Sequence, residues 1–281
     1  MNFIPTVWTA RLLKALEKAL VYGQAGVVNR DYEGEISQRG DSVKIASISD
    51  PTVDDYVKDT DITAEALTDA EQTLLIDQAK YFNFIVDDLD RAQQNVNVMD
   101  EAISRAAYKL RDTADKYIAA SYTLVPSGNT VASNSSPDLA LATGVAYKHL
   151  VDLGVKLDEA NVPTEGRFVI IPPFFHGALL QDSRFIGSGP KGEARLVNGQ
   201  VGEAAGFRVL KSNNVPVESS TYYKVVAGHS MAYSFADQVN KIEAYRKEKG
   251  FGSGVKGLHV YGGKLVRPNA WAVGTVKNAA T

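Results

Sequence analysis

The stretch from about Val96 to Leu124 limits what this chain can fold into more than any other. Met99, Ile103, Ala106, Leu110, Ala114, Tyr117 and, more weakly, Ser121 recur at steps of three or four, which keeps them on one face of an α-helix. Asn97 is placed to cap the start, and Asp100 and Glu101 put negative charge in the first turn, where the helix dipole favours it. Pro126 and Gly128 stop it. Roughly 25 residues at 1.5 Å each span about 37 Å, longer than most globular helices. The helix predicted over 97–124 is therefore a strut, with strand-like chain leading in and a Gly/Asn/Ser-rich loop leading out. Its small positions, Ala102, Ala106, Ala107 and Ala114, would let a sheet pack close against it.

A strut of this length needs modules at its ends, and 281 residues allow one large domain or two ordinary ones. The net charge of −3 argues against a dedicated nucleic-acid binder. The chain has no Cys, which excludes disulfides, thiolate metal sites and Cys nucleophiles and fits a reducing cytoplasm. No run approaches 18 consecutive apolar residues, so no membrane span is predicted. Arg11, Lys14, Glu17 and Lys18 interrupt any signal-peptide core, and Asn134-Ser-Ser136 reads as a chance sequon.

Charge is unevenly placed. Between Asp50 and Glu101 fourteen Asp/Glu stand against three Lys/Arg, a net of −11. From Lys241 to Lys277 eight Lys/Arg stand against two Glu, a net of +6. Two solvated faces would account for this, as would the acidic segment of one copy meeting the basic segment of another.

Trp8, Leu12, Leu16 and Ala19 or Leu20 share a face of a short N-terminal helix that Gly23 ends. So short a helix is marginal alone, so its stripe must dock on its own core or on a neighbour. Residues 31–85 read as a long β excursion. Val43 and Ile45 alternate with Lys44 and Ala46, and the return runs through Leu74-Leu75-Ile76 and Tyr81 to Val86. The acidic stretch from Ser49 to Ala70 shows neither period and reads as a mobile tip. A two-stranded ribbon is marginal by itself in water, so some other surface must support it.

After the loop at 127–136, Pro137 and Asp138 open a second predicted helix, which Gly154 ends. Arg167–Ile171 is a continuous apolar run suited to a buried strand, and Pro172 or Pro173 starts a third helix through about Gln181. Beyond a Gly-rich loop at 187–206, short strands are predicted at Phe207–Leu210, Tyr222–Ala227, Met231–Phe235, Lys241–Tyr245, Leu258–Tyr261 and Ala270–Val276. Helices and strands mix without regular alternation, which indicates α+β.

The candidate chemistry is thin. Gly187-Ser-Gly189-Pro-Lys-Gly192 has the spacing of a dinucleotide fingerprint but follows a helix and carries Pro190 in its middle. Gly228-His-Ser230-Met-Ala232 resembles a nucleophile elbow, with Asp237 and His259 behind it in the expected order. Against it, Ala232 replaces the second Gly, and the residues that follow read as strand. His149, His176, His229 and His259 form no metal-ligand spacing, and Asp87, Asp88 and Asp90 read more readily as a solvated turn than as a cation site. No catalytic residue, cofactor or metal is expected.

Several ordered stretches are familiar. Val28-Asn29-Arg30-Asp31-Tyr32-Glu33-Gly34-Glu35-Ile36 and Arg39-Gly40-Asp41-Ser42-Val43-Lys44-Ile45 resemble the start of major capsid (coat) proteins of tailed bacteriophages. Asp77–Phe84, Asp87–Asp90, Gly202–Pro216 and Arg267–Trp271 fit in the same order, so the resemblance covers nearly the whole chain. It implies the α+β phage major-capsid fold, shared with herpesvirus coats. Carried over, an N-terminal arm spans 1–30 and an extended β loop 31–80. A peripheral domain takes 81–136 and 238–281, with the spine helix at 97–124, and an axial domain takes 137–237.

The resemblance further implies pentamers and hexamers in an icosahedral shell that encloses double-stranded DNA and contacts it weakly. In the family the extended loop lies across a neighbouring subunit. The candidate inter-subunit residues are then Trp8, Leu12 and Leu16 of the arm, and Asp54, Asp55, Tyr56, Asp59 and Asp61 of the loop. On the basic side they are Lys241, Arg246, Lys247, Lys249 and Arg267. Because about 30 residues precede the loop, a separate scaffolding protein is expected, with a portal, a possible decoration protein, no membrane and assembly in the host bacterial cytoplasm. Two other readings compete: an encapsulin-like bacterial nanocompartment shell, and a serine hydrolase using Ser230.

Overall fold

The computed structural model describes residues 21–32, 40, 42–48, 53, 55, 58, 69–87, 98–139, 145–182, 202–247 and 252–278. Strands β1 (Ser42–Ile48), β2 (Asp69–Leu75) and β3 (Gln78–Asp87) lead into helix α1 (Val98–Ala120). Then come β4 (Thr130–Val131), β5 (Asp138–Leu139), α2 (Val145–Glu159), β6 (Arg167–Ile171) and α3 (Pro173–Gln181). After these follow β7 (Glu203–Ala204), β8 (Phe207–Lys211), β9 (Val217–Glu218), β10 (Tyr222–His229), β11 (Tyr233–Arg246), β12 (Gly252–Leu265) and β13 (Trp271–Lys277). No described helix is long and apolar enough to cross a membrane.

The strut forms. Ile103, Ala107, Leu110, Ala114 and Ile118 make its buried stripe, and a single 3-10 turn at Ser121–Leu124 finishes it before Pro126. The expected cap Asn97 lies outside the described residues.

β6 is buried along its whole length, as its unbroken apolar run requires. It lies between β10 and β8, pairing antiparallel with the first and parallel with the second. A parallel neighbour needs a crossover, and α3, opened by Pro173 at its first turn, forms part of it.

Two expectations about α2 fail for identifiable reasons. Asp138 and Leu139 do not open a helix; they pair in parallel with Val276 and Lys277 of β13. Gly154 does not end it either: the helix runs on through it to Glu159, and the Phe207 ring of β8 lies beside it. The helix ends at Glu159, and beyond it Asn161 takes a left-handed φ of 54° while Val162 N–H returns to the Leu157 carbonyl at 3.0 Å.

The two predicted strands at 231–235 and 241–245 are one element, β11, with a register shift between Val239 and Lys241. β11, β12 and β3 form a three-stranded antiparallel sheet. β3 thus leaves the ribbon it was expected to complete, and β1 pairs with β2 alone, from Ser42 opposite Leu75 to Ile48 opposite Asp69. Nor is that ribbon unsupported at its base, as the sequence suggested. Val43, Ile45, Leu74 and Ile76 bury themselves against Ala236 and Val260 of the three-stranded sheet. Gly262 makes this approach possible, since a methyl group there would overlap the Leu75 carbonyl oxygen.

β13 pairs with β10 and so belongs to the eight-stranded sheet that holds β6, although it follows β12 in sequence. One core joins that sheet to Ala114 and Ile118 of α1 and to Tyr233, Phe235 and Tyr261 of the smaller sheet.

Candidate assembly surfaces

Successive residues of a strand face opposite sides, and β12 uses this to hold two different elements. Val260 points to the ribbon cluster. Tyr261 meets Tyr117 of α1 edge-on, with ring centroids 5.3 Å apart. The ribbon and the spine helix therefore cover opposite faces of the three-stranded sheet.

The sheet is tied to the N-terminal segment by a compact polar cluster. Asn29 bridges to β11, donating to the Tyr233 carbonyl at 2.8 Å and accepting from Phe235 N–H at 2.9 Å. One residue on, the Arg30 guanidinium pairs with Asp237, whose other oxygen meets His259 Nε2 at 3.2 Å. His259 is fully buried, and its Nδ1 has no hydrogen-bond partner.

That geometry decides the serine-hydrolase reading. Asp237 and His259 do meet, but neither imidazole nitrogen is bonded to Ser230, and Asp237 is engaged by Arg30. Ser230 begins a 3-10 turn leading into strand β11, whereas an elbow turns into a helix. Among the described residues no group of three or more His, Asp or Glu is arranged to hold a metal ion. Asp88, Asp90 and the 187–192 glycines lie outside them.

Of the inter-subunit candidates, Trp8, Leu12, Leu16, Asp54, Tyr56, Asp59, Asp61 and Lys249 also lie outside the described residues. Asp55 is exposed, and Val53 beside it is 93% exposed. Lys241 sits in β11 opposite Leu258. Arg246 and Lys247 are exposed where β11 turns into β12, and Lys247 N–H bonds the Gly252 carbonyl at 3.1 Å. Arg267 is exposed beyond the other end of the same pair, its guanidinium 3.5 Å from the Met231 sulfur. Fourteen-residue strands separate those ends by about 45 Å at ~3.3 Å per residue, so the basic stretch is not one patch. Part of its charge is also engaged at home: Lys256 pairs with Glu243 at 2.8 Å, which holds the ammonium pKa above its usual value.

A concentration of cations missed in the sequence lies elsewhere. A cleft of about 610 Å³ runs between β3 and the middle of α1, with Lys80, Arg105 and Lys109 among its lining residues. Among the described residues the lining includes no carboxylate.

The order of elements can now be set beside known proteins. A family model described as phage capsid protein matches residues 49–274. A structure from Mycobacterium phage Che8 is similar at 34% identity, covering 91% of this chain and 90% of that one, with a TM-score of 0.72. The chain belongs to the phage capsid protein family. The fold recurs at 19% identity in the capsid structure of cyanophage P-SCSP1u, over 94% of this chain and 90% of that one, with a TM-score of 0.73. It recurs again at 13% identity in a virus-like particle from Pyrococcus furiosus, over 97% and 100%, with a TM-score of 0.54. No protein of curated function matches the chain. Membership makes this phage capsid protein a major capsid subunit, assembling with its own copies into the shell of the virion. The ordered motifs from Val28 to Trp271 had pointed there.

Proposed function

We propose that the subunit forms pentamers and hexamers of a closed icosahedral shell around packaged double-stranded DNA, that it works mechanically, and that it catalyses nothing. The observation that carries this reading is the ribbon. Its base is packed against its own sheet, yet beyond Ile48 and Asp69 the chain continues for twenty more residues, and Val53 among them is 93% exposed. An extension of that length with an anchored root suits a neighbouring copy as its support.

In this reading 1–30 is the arm, 31–80 the extended loop, 81–136 and 238–281 the peripheral domain and 137–237 the axial domain. The loop lies across the next subunit, with Asp54, Asp55, Tyr56, Asp59 and Asp61 as its contact residues. Trp8, Leu12, Leu16, Lys241, Arg246, Lys247, Lys249 and Arg267 make further contacts. Assembly takes place in the host bacterial cytoplasm with a separate scaffolding protein and a portal, and a decoration protein is a further partner. Each exposed ion pair contributes only ~0–1 kcal/mol, but repetition around a shell makes the sum large and salt-sensitive.

The likeness to a virus-like particle over nearly its whole length favours one second reading, a nanocompartment that packages protein. The cargo separates the two. Particles purified after nuclease treatment should retain double-stranded DNA; particles holding protein and no nucleic acid would favour the nanocompartment.

A further inference from the structure

The N-terminal segment is held in two different ways on the two sides of Gly23. After it the contacts are many: Val27 and Val28 are fully buried, Asn29 bridges to β11, and Arg30 donates to the Gly23 carbonyl at 3.0 Å. Before it, one side chain receives the backbone. An Asp115 oxygen of α1 takes Val21 N–H at 3.1 Å and Tyr22 N–H at 3.2 Å, and Gly23 N–H also bonds the carboxylate. The other oxygen faces the Asn214 amide at 3.5 Å. Every one of these donors is neutral, and the carboxylate they surround is buried.

We propose that Asp115 is a proton-operated latch on this segment: residues 21–23 dock on the spine helix with uptake of one proton, and peel away at Gly23 when it is lost. The latch belongs to the single subunit and stands whatever the chain ahead of Val21 touches. Docking closes Asp115 off from water, and burial outweighs the neutral donors, pushing its carboxyl up to about 6. With 21–23 lifted, water reaches the group and it returns toward its ordinary value of 3.8. The docked form therefore binds the proton more tightly. Docking is firmest below both values and weakens as pH rises through about 6, by about tenfold between pH 5 and pH 7.5.

The ionisable groups around Asp115 leave this assignment in place. Arg111 and Asp112 of α1 and Lys211 at the end of β8 line the same recess of about 160 Å³. Asp112 is held below the usual carboxylate range, first by its bond to Lys116, and so stays charged through the window. Burial, and then the charge of Asp115 itself, push the Tyr22 phenol up, which keeps it neutral. Arg30, at the Gly23 carbonyl, pairs with Asp237 beside His259, on the side of the hinge that remains docked.

Amide exchange of the full chain at pH 5 and pH 7.5, corrected for the intrinsic rate at each pH, tests the latch. The amides of Val21, Tyr22 and Gly23 should be about tenfold better protected at pH 5. At both values they should exchange faster than the amide of Ile170 in the core strand β6. Asp115→Asn keeps an acceptor but cannot titrate, and should level the two values; Asp112→Asn should leave the ratio intact. Equal protection at both pH values in the wild type would overturn the latch. A tenfold ratio that survives Asp115→Asn would also overturn it, by placing the proton in the Arg30, Asp237 and His259 cluster. So would a ratio that Asp112→Asn abolishes, or exchange of Val21 to Gly23 at the rate of Ile170, which would make the opening global.

Discussion

The Asp115 carboxylate, buried at 3% exposure toward the C-terminal end of the spine helix, accepts the backbone N–H of Tyr22 at 3.2 Å. It also takes Val21 N–H at 3.1 Å, and its second oxygen faces the Asn214 amide at 3.5 Å. One side chain thus ties the N-terminal segment, the spine and the loop after β8 together. Together with the Gly23 backbone N–H these donors are all neutral, and burial outweighs them, pushing the Asp115 carboxyl up to about 6.

The sign of the resulting pH dependence is set by that direction. Asp115 is raised above its unfolded value of 3.8, so between about pH 4 and 6 the folded chain holds a proton that the unfolded chain has lost. Its contribution to stability is therefore greatest below that window and is lost as pH rises through about 6. Urea unfolding at pH 5 and pH 7.5 should show this component in the wild type, and Asp115→Asn should remove it. Asp115→Ala leaves the backbone donors of Val21, Tyr22 and Gly23 without this acceptor and should cost about 2–4 kcal/mol. An Asn variant with the full wild-type pH dependence would assign it elsewhere.

The Arg30–Asp237 pair predicts a different failure. Arg30→Ala takes the guanidinium away from a carboxylate whose side chain is only 12% exposed, with a fully buried imidazole beside it. Breaking a buried pair from one side should cost about 3 kcal/mol, measured as a fall in the urea midpoint with an unchanged slope. A loss under ~0.5 kcal/mol would mean that the pair behaves as a surface ion pair.

The base of the ribbon depends on Gly262. Gly262→Ala places a methyl group against the Leu75 carbonyl and Ile76. Relieving that overlap means lifting β2 off β12, at about 1–3 kcal/mol. Amide exchange of Gly40, which bonds the Ile76 carbonyl at 3.0 Å, should accelerate in the variant. Unchanged exchange would show that the base adjusts without opening.

Ser230 offers a test of the proposal that the subunit catalyses nothing. With neither nitrogen of His259 bonded to it, the hydroxyl lacks the base that the elbow reading assigned to it. A fluorophosphonate probe should leave the protein unlabelled, and Ser230→Ala should change neither stability nor assembly. Labelling that Ser230→Ala abolishes would reopen the hydrolase reading.

Local signals in the sequence located what local forces determine. The apolar run at Arg167–Ile171, the proline at 173 and the spacing of Ile103, Leu110 and Ala114 each mark their element, because one strand face or helix stripe suffices to specify it. What the sequence hid was set by distant partners. Gly154 looks like a stop, yet the helix that buries Leu150, Leu153 and Leu157 runs straight through it. The strand at Ala270–Val276 was legible as a strand, but not its partner β10, which lies more than forty residues back in the chain. The cleft was hidden by averaging. Lys80 lies inside the segment whose net charge is −11, while Arg105 and Lys109 follow that segment's end on another element. A sum over a window cannot show that three cations converge in space.

The central claim is that the loop beyond β1 and β2 joins one subunit to the next. Negative-stain microscopy of the purified protein and of the same chain lacking Asp50 to Ala66 tests it most directly. The account predicts icosahedral shells, or rings of five and six, from the intact chain and a folded, unassembled subunit from the deletion. Normal shells from the deleted chain, or an intact chain that stays monomeric at high concentration, would contradict it.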